Sequence, residues 1–285
     1  MTMSIDSHHH LWEPARGNYD WLVPGSPLDR PFAPRDFRPV SASVGVTYAV
    51  LVQAAATTVE TDYLMSLARE NAYIAGVVGW IDLAGVGSVA QIEARSKEPL
   101  FVGVRPMLQD MVDRDWILSR DCERGLCAIE EHGLNFDALV RADQLGVVDM
   151  LAHRYPELRI VLDHAGKPPF ADPTALNDWR HSIERLAARP NVACKLSGLL
   201  TELPTDAPQG IVANCIDVLI NLFADGRLLW GSDWPVATLV TEYRTWYDIC
   251  RDRVSEHNAG LVPAIFRENA CQFYRLTIRR PATEE

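Results

Sequence analysis

Short apolar runs recur along the chain, with enough residues between them for a helix each time. They fall at Ser4–Asp6, Tyr48–Gln53, Ala75–Ile81, Phe101–Met107, Leu134–Phe136, Arg159–Asp163, Val192–Leu196 and Leu228–Gly231. All are rich in Val, Ile and Leu and show little polar alternation, as strands of a parallel sheet buried on both faces do. The intervening stretches carry the 3.6-residue period. Thr57-x-x-Glu60 has the form of a capping box and opens the stripe Tyr63, Leu64, Leu67, Ala68. Leu145, Val148, Leu151 and Ala152 share one face of a helix predicted over Asp143–His153, with Pro156 beyond its end. Trp179, Ile183, Leu186 and Ala187 form a third stripe, closed by Pro190, and Ile211–Phe223 is a fourth.

One segment departs from the pattern. Leu11 to Pro39 contains Pro14, Pro24, Pro27, Pro31, Pro34 and Pro39, with Gly17 and Gly25. Proline removes backbone donors and fixes φ, so this segment is expected to be a long ordered loop rather than a helix, and long loops of this kind serve as binding loops or lids. Strands alternating with helices over 285 residues fit a (β/α)8 TIM barrel, predicted as a single domain over residues 1–285. A doubly wound sheet is the structural alternative. It would place G-x-G-x-x-G after the first strand, where this chain has histidines, and no Walker A pattern occurs either.

Composition narrows the partners. The 27 Lys+Arg against 38 Asp+Glu give a net charge of −11, which disfavours nucleic acid and anionic membrane surfaces. No apolar run approaches the ~20 residues of a membrane span. The start, Met-Thr-Met-Ser-Ile-Asp-Ser, lacks the basic and apolar regions of a signal peptide. Cys122, Cys127, Cys194, Cys215, Cys250 and Cys271 form no C-x-x-C pair and read as reduced, mostly buried thiols of a cytoplasmic protein.

In a barrel, catalytic groups stand at the carboxyl ends of strands. Here those ends carry Asp6 to Trp12, then Gln53, Trp80 with Asp82, Arg105, Asn135 with Asp137, Asp163 to Lys167, Lys195 with Ser197, and Ser232 to Trp234. In His8-x-His10 the two rings point to the same side of a strand, and converging imidazoles suit a metal or an oxyanion. Alone, His164 would read as a hydrogen-bonded core histidine and Asp233 as a helix N-cap. At strand ends, His164 joins the site and Asp233 becomes the candidate general base. Arg105 either contacts substrate or pairs with an acid such as Asp82 or Asp137. His132, His153, His181 and His257 are expected at the surface.

Ile5-Asp-Ser-His-His-His-Leu-Trp12, Val52-Gln-Ala54, Gly103-Val-Arg105, Leu162-Asp-His-Ala-Gly-Lys-Pro168, Lys195-Leu-Ser-Gly198 and Trp230-Gly-Ser-Asp-Trp-Pro235 resemble the amidohydrolase superfamily in order along the chain. More narrowly they resemble its sugar-lactone hydrolases, the branch of the L-fuconolactonases and L-rhamnonolactonases. The resemblance implies a distorted (β/α)8 barrel that hydrolyses an intramolecular ester, L-fucono-lactone or a related aldono-1,4/1,5-lactone, in sugar catabolism. The chain departs from metal-dependent members of the superfamily, which use Lys or Glu from strand four and His from strand five. Arg105 stands at the first position and Asn135 and Asp137 at the second. A two-metal site is therefore not expected and no cofactor is required by default, while one zinc held by His8, His10 and Asp233 fits the composition.

On this reading a sugar lactone lies against Trp12, Trp80 and Trp234, Asp233 takes a proton from the attacking water, and His8, His10 and His164 donate to the oxyanion. Gln53, Arg105 and Lys195 complete the substrate contacts. The oligomeric state stays open. The rivals are a zinc-dependent decarboxylase of the same superfamily, a lactonase for an aromatic-degradation dicarboxylate, and a non-catalytic sugar-binding barrel.

Overall fold

The computed structural model describes residues 3–17 and 19–278. Among them one eight-stranded parallel sheet runs in sequence order. Its strands are β1 (Ser4–His9), β2 (Val46–Val52), β3 (Ile74–Gly79), β4 (Phe101–Val104), β5 (Asn135–Ala138), β6 (Arg159–Leu162), β7 (Val192–Leu196) and β8 (Leu228–Trp230). A parallel bridge between His9 and Trp234 brings the last strand back to the first, so the sheet curls into a nearly closed barrel. The helices are α1 (Pro34–Ala42), α2 (Thr58–Glu70), α3 (Ser88–Ser96), α4 (Arg120–Glu131), α5 (Leu145–Arg154), α6 (Pro173–Ala187), α7 (Ile211–Phe223), α8 (Tyr243–Asn258) and α9 (Asn269–Tyr274).

Strand side chains divide between two cores because successive residues face opposite sides. Ala49, Leu51, Val77, Phe136 and Leu196 join the helices in a large outer core. Ile5, Val50, Val52, Val78, Val161 and Leu229 fill the interior with Ala270 and Tyr274 of α9. Each fully buried Leu, Ile or Val contributes roughly 1.5–3 kcal/mol.

The proline-bearing segment corrects one expectation. It is not loop throughout, because α1 begins inside it. Pro34 occupies the first turn, where no intrahelical N–H bond is lost, and Asp36 accepts from the Ala33 N–H at 2.8 Å. The Thr57 capping box is only half formed. Thr57 accepts from the Glu60 N–H at 3.1 Å, but the Glu60 carboxylate turns back to the N–H groups of Ala54 (3.1 Å) and Ala55 (2.6 Å). Glu60 therefore fixes the β2–α2 loop beside the barrel mouth.

Candidate active site

The seam between the first and last strands builds the site. The Asp6 carboxylate accepts from the His8 N–H at 3.0 Å, the Ser232 N–H at 2.9 Å and the Tyr243 hydroxyl at 3.0 Å. Asp233 N–H donates to the His8 carbonyl at 2.9 Å, and His10 N–H to the Trp234 carbonyl at 2.7 Å. These bonds hold Asp233 in the left-handed region at φ 57°. There its carboxylate faces the imidazoles of His8, His10 and His164, at 3.8, 3.4 and 3.8 Å. None of its hydrogen bonds is a side-chain cap on the 3₁₀ turn that follows.

His164 is delivered by an unusual backbone. His164, Ala165, Gly166 and Lys167 have φ of 52°, 52°, 66° and 53° in succession. A non-glycine residue in this region costs roughly 1–2 kcal/mol, so tertiary contacts must enforce the turn. Trp179 supplies one, donating its indole N–H to the Ala165 carbonyl at 2.7 Å. Ser197 stands 3.0 Å from His164 Nδ1.

Hydrogen bonds define what each imidazole presents. His10 Nδ1 lies 2.8 Å from the Val52 carbonyl, which can only accept, so Nδ1 carries a proton. His8 Nε2 is 3.1 Å from His10 Nε2, and His8 Nδ1 is 3.1 Å from Lys195 Nζ. Burial and the Lys195 ammonium push the His8 pKa well below its ordinary value, so that ring is neutral at pH 7, while burial lowers that of His164 against the opposing pull of Asp233. Burial alone would raise the Asp233 pKa. The three imidazoles, His164 foremost, outweigh burial and keep Asp233 ionised, well below the usual carboxylate range.

The cavity above this cluster measures about 230 Å³. His10, Trp12, Arg105, His164 and Asp233 line it, among the expected residues. Trp12 is fixed by donation to the Leu28 and Arg30 carbonyls, and Arg105 by Asp163 at 3.1 Å and the Gln53 carbonyl.

Five other expected residues do not line the cavity, and the first is His8, which is fully buried beneath it and so cannot reach an oxyanion directly. Gln53 is buried and donates to the Arg105 carbonyl at 2.7 Å, holding that arginine rather than a substrate. Trp80 is half-buried and outside the lining, since its backbone is tied to Thr61 on the α2 side. Trp234 turns into an aromatic cluster with Phe32 and Phe37. Lys195 is fully buried beneath His8, with Asp137 at 2.5 Å and Asp163 at 2.9 Å. Arg105 pairs with Asp163 instead of Asp82 or Asp137. His132, His153, His181 and His257 are exposed, and the six cysteines are free.

The sequence reading missed Trp21, Gln109, Lys167 and Glu202 as cavity residues. Trp21 meets Trp12 edge to face, and Lys167 pairs with Glu202 at 3.1 Å. Lys167 follows the His164 motif directly and so carried a signal. Trp21 and Glu202 lie in long loops with no periodicity to place them.

The donor set also fits one metal ion. The Nε2 atoms of His8 and His10 with Asp233 Oδ1 lie mutually within 4.8 Å, and His164 Nε2 stands beside them. Their 3.1–3.8 Å separations bracket the roughly 3.3 Å between tetrahedral ligands of zinc. A second combination, His8, Asp163 and His164, shares two of these residues.

A parallel barrel whose mouth holds an H-x-H pair, a further histidine and an aspartate defines a hydrolytic site of the amidohydrolase type. The amidohydrolase family model matches residues 5–276, and the chain belongs to that family. It is 40% identical over 294 residues to an L-fucono-1,5-lactonase of Burkholderia ambifaria, covering 100% of this chain and 99% of that one. It is 37% identical to an L-fucono-1,5-lactonase of Burkholderia multivorans over 85% of each. A crystal structure of a B. multivorans amidohydrolase with bound zinc superposes with a TM-score of 0.90 at 34% identity, over 97% of this chain and all of the other.

Proposed function

We propose that this protein is a sugar-lactone hydrolase, a carboxylic ester hydrolase that opens L-fucono-1,5-lactone or a closely related aldonolactone to the aldonic acid. One observation carries the reading. An ionised aspartate faces three imidazoles at the floor of a sugar-sized cavity walled by tryptophans. The full-length similarity to two L-fucono-1,5-lactonases supports the substrate class.

Asp233 Oδ1 stands at the cavity lining beside His10, 3.4 Å from its Nε2, and accepts a hydrogen from the attacking water, whose lone pair turns to the lactone carbonyl. Asp233 takes the proton as that water attacks. His164 donates from Nε2 to the developing oxyanion, His8 supports the cup from beneath, and Arg105, whose buried Nε has no partner among the described residues, adds positive charge. Trp12 and Trp21 pack against the sugar ring. The ring oxygen leaves as the hydroxyl of the open aldonate. His8, His10, Asp233 and His164 would hold a zinc ion, which when bound supplies Lewis-acid polarisation of the carbonyl. A lactone is already an activated ester, so the preorganised base and donors suffice for the resting reading. The enzyme works in the cytoplasm, as its six free thiols fit.

A panel of aldonolactones in weakly buffered pH indicator tests this, because each turnover releases one acid. Hydrolysis of L-fucono-1,5-lactone with one ¹⁸O from labelled water in the product carboxylate is expected. Acid release from none of the panel, or label in the ring-derived hydroxyl, would overturn it.

A further inference from the structure

A chain of buried polar groups runs from the closing helix up to the catalytic cup. The Tyr274 hydroxyl of α9 donates to Asp137 at 2.7 Å, Asp137 accepts from Lys195 at 2.5 Å, and Lys195 lies between Asp163 at 2.9 Å and His8 Nδ1 at 3.1 Å. Every member is buried. Nothing in the reaction calls for this lysine to touch the substrate, yet its ammonium is aimed at a ring nitrogen of the site.

An ammonium has hydrogens and no lone pair. A ring nitrogen 3.1 Å from it is therefore stable only as an acceptor. We infer that Lys195 is a positioning residue that selects the imidazole tautomer of His8, leaving Nδ1 unprotonated and placing the single ring proton on Nε2. That proton then points toward His10 Nε2, 3.1 Å away, whose own proton is committed to Val52. The result is a continuous chain, Lys195 N–H to His8 Nδ1, His8 Nε2–H to His10 Nε2, and His10 Nδ1–H to the Val52 carbonyl, with no donor facing a donor.

The same contact opposes zinc. A metal needs the Nε2 lone pair of His8. Exposing it breaks the Nε2–H bond and forms an Nδ1–H bond, leaving the ring's proton count unchanged. The new Nδ1–H would find an acceptor in Asp163 Oδ1 at 3.3 Å, which already takes Lys195 Nζ at 2.9 Å, but would also face the ammonium. Lys195 and Asp163 thus pull His8 in opposite directions. Lys195 favours the proton-donating, metal-free cup and Asp163 the metal-binding one. This deepens the lactonase reading, on which the catalytic use of the cup rests, while the tautomer is observable whether or not any lactone turns over.

The test is histidine-selective ¹⁵N NMR of the chelator-treated full-length enzyme, with His8→Gln to assign the resonance. A pyridine-type Nδ1 and pyrrole-type Nε2 are expected, and the reverse would overturn the inference. Zinc titration is expected to exchange the two. In Lys195→Met the ring is expected to shift toward Nδ1–H and zinc to bind at least ~10-fold tighter. An unchanged tautomer and zinc affinity in that variant would mean a merely structural lysine. If Lys195→Met does not fold, the wild-type spectrum decides alone.

Discussion

At the scale of single residues, the site depends on a few atoms having nowhere else to go. Gly198 sits at φ 61°, and a Cβ there would lie 2.5 Å from His164 Nδ1 and 2.7 Å from its Cγ. Gly198→Ala is therefore expected to push the imidazole out of the cup. A displacement near 1 Å costs about 10²-fold in kcat/KM, and the rate of lactone hydrolysis measures it. A rate within a factor of two of wild type would show that His164 has slack. The residue types of the cup were legible because His8, His10, His164 and Asp233 stand where a barrel puts its chemistry. Their protonation roles were not. Sequence spacing places both His8 and His10 on one side of a strand, but only the Val52 carbonyl shows that His10 carries a proton on Nδ1.

Among the elements, the βα loops carry selectivity. Lys167 ends the left-handed run after β6, and Glu202 comes from the 3₁₀ turn after β7, meeting at 3.1 Å on the cavity wall. A cation and an anion side by side can donate to and accept from neighbouring sugar hydroxyls. Lys167→Met and Glu202→Gln should each lower the preference for L-fucono-1,5-lactone over unsubstituted δ-valerolactone by about 10- to 100-fold. Ratios of kcat/KM check this, and an unchanged ratio would make the pair a surface ion pair only. Glu60 in α2 gives a pH effect. Burial raises its pKa from 4.5 to about 7, so the folded state holds that proton more tightly than the unfolded chain. Its contribution is full below pH 4.5 and declines by about 3 kcal/mol as pH rises to about 7. Denaturant titrations between those limits should show a smaller decline in Glu60→Gln, and an equal decline would shift the cause elsewhere. The strands were read well because both barrel faces are apolar. Helix α4 does carry a buried stripe, Cys122, Leu126 and Ile129, set among charged residues, and α1 was hidden by its prolines, since a first helical turn tolerates Pro34.

Over the whole molecule, the barrel stacks an apolar interior, a buried ionic layer and a polar cup along one axis. Lys195 was expected in the cup because it ends a strand, but β7 places it one layer lower, between Asp137 and Asp163. Removing one partner from such a buried cluster costs roughly 3–5 kcal/mol, so the layer also makes the site sensitive to its foundations. The net charge of −11 acts on product rather than substrate, since a neutral lactone enters and an anionic aldonate is repelled as it leaves. The central claim is that water, activated by Asp233, opens a sugar lactone in this cup. Its most direct test is the initial rate of acid release from L-fucono-1,5-lactone by wild-type enzyme and by Asp233→Asn, with binding of the aldonate product measured in parallel. The account predicts that the variant binds the aldonate yet hydrolyses the lactone about 10²- to 10⁴-fold more slowly. A variant that turns over near the wild-type rate would contradict it.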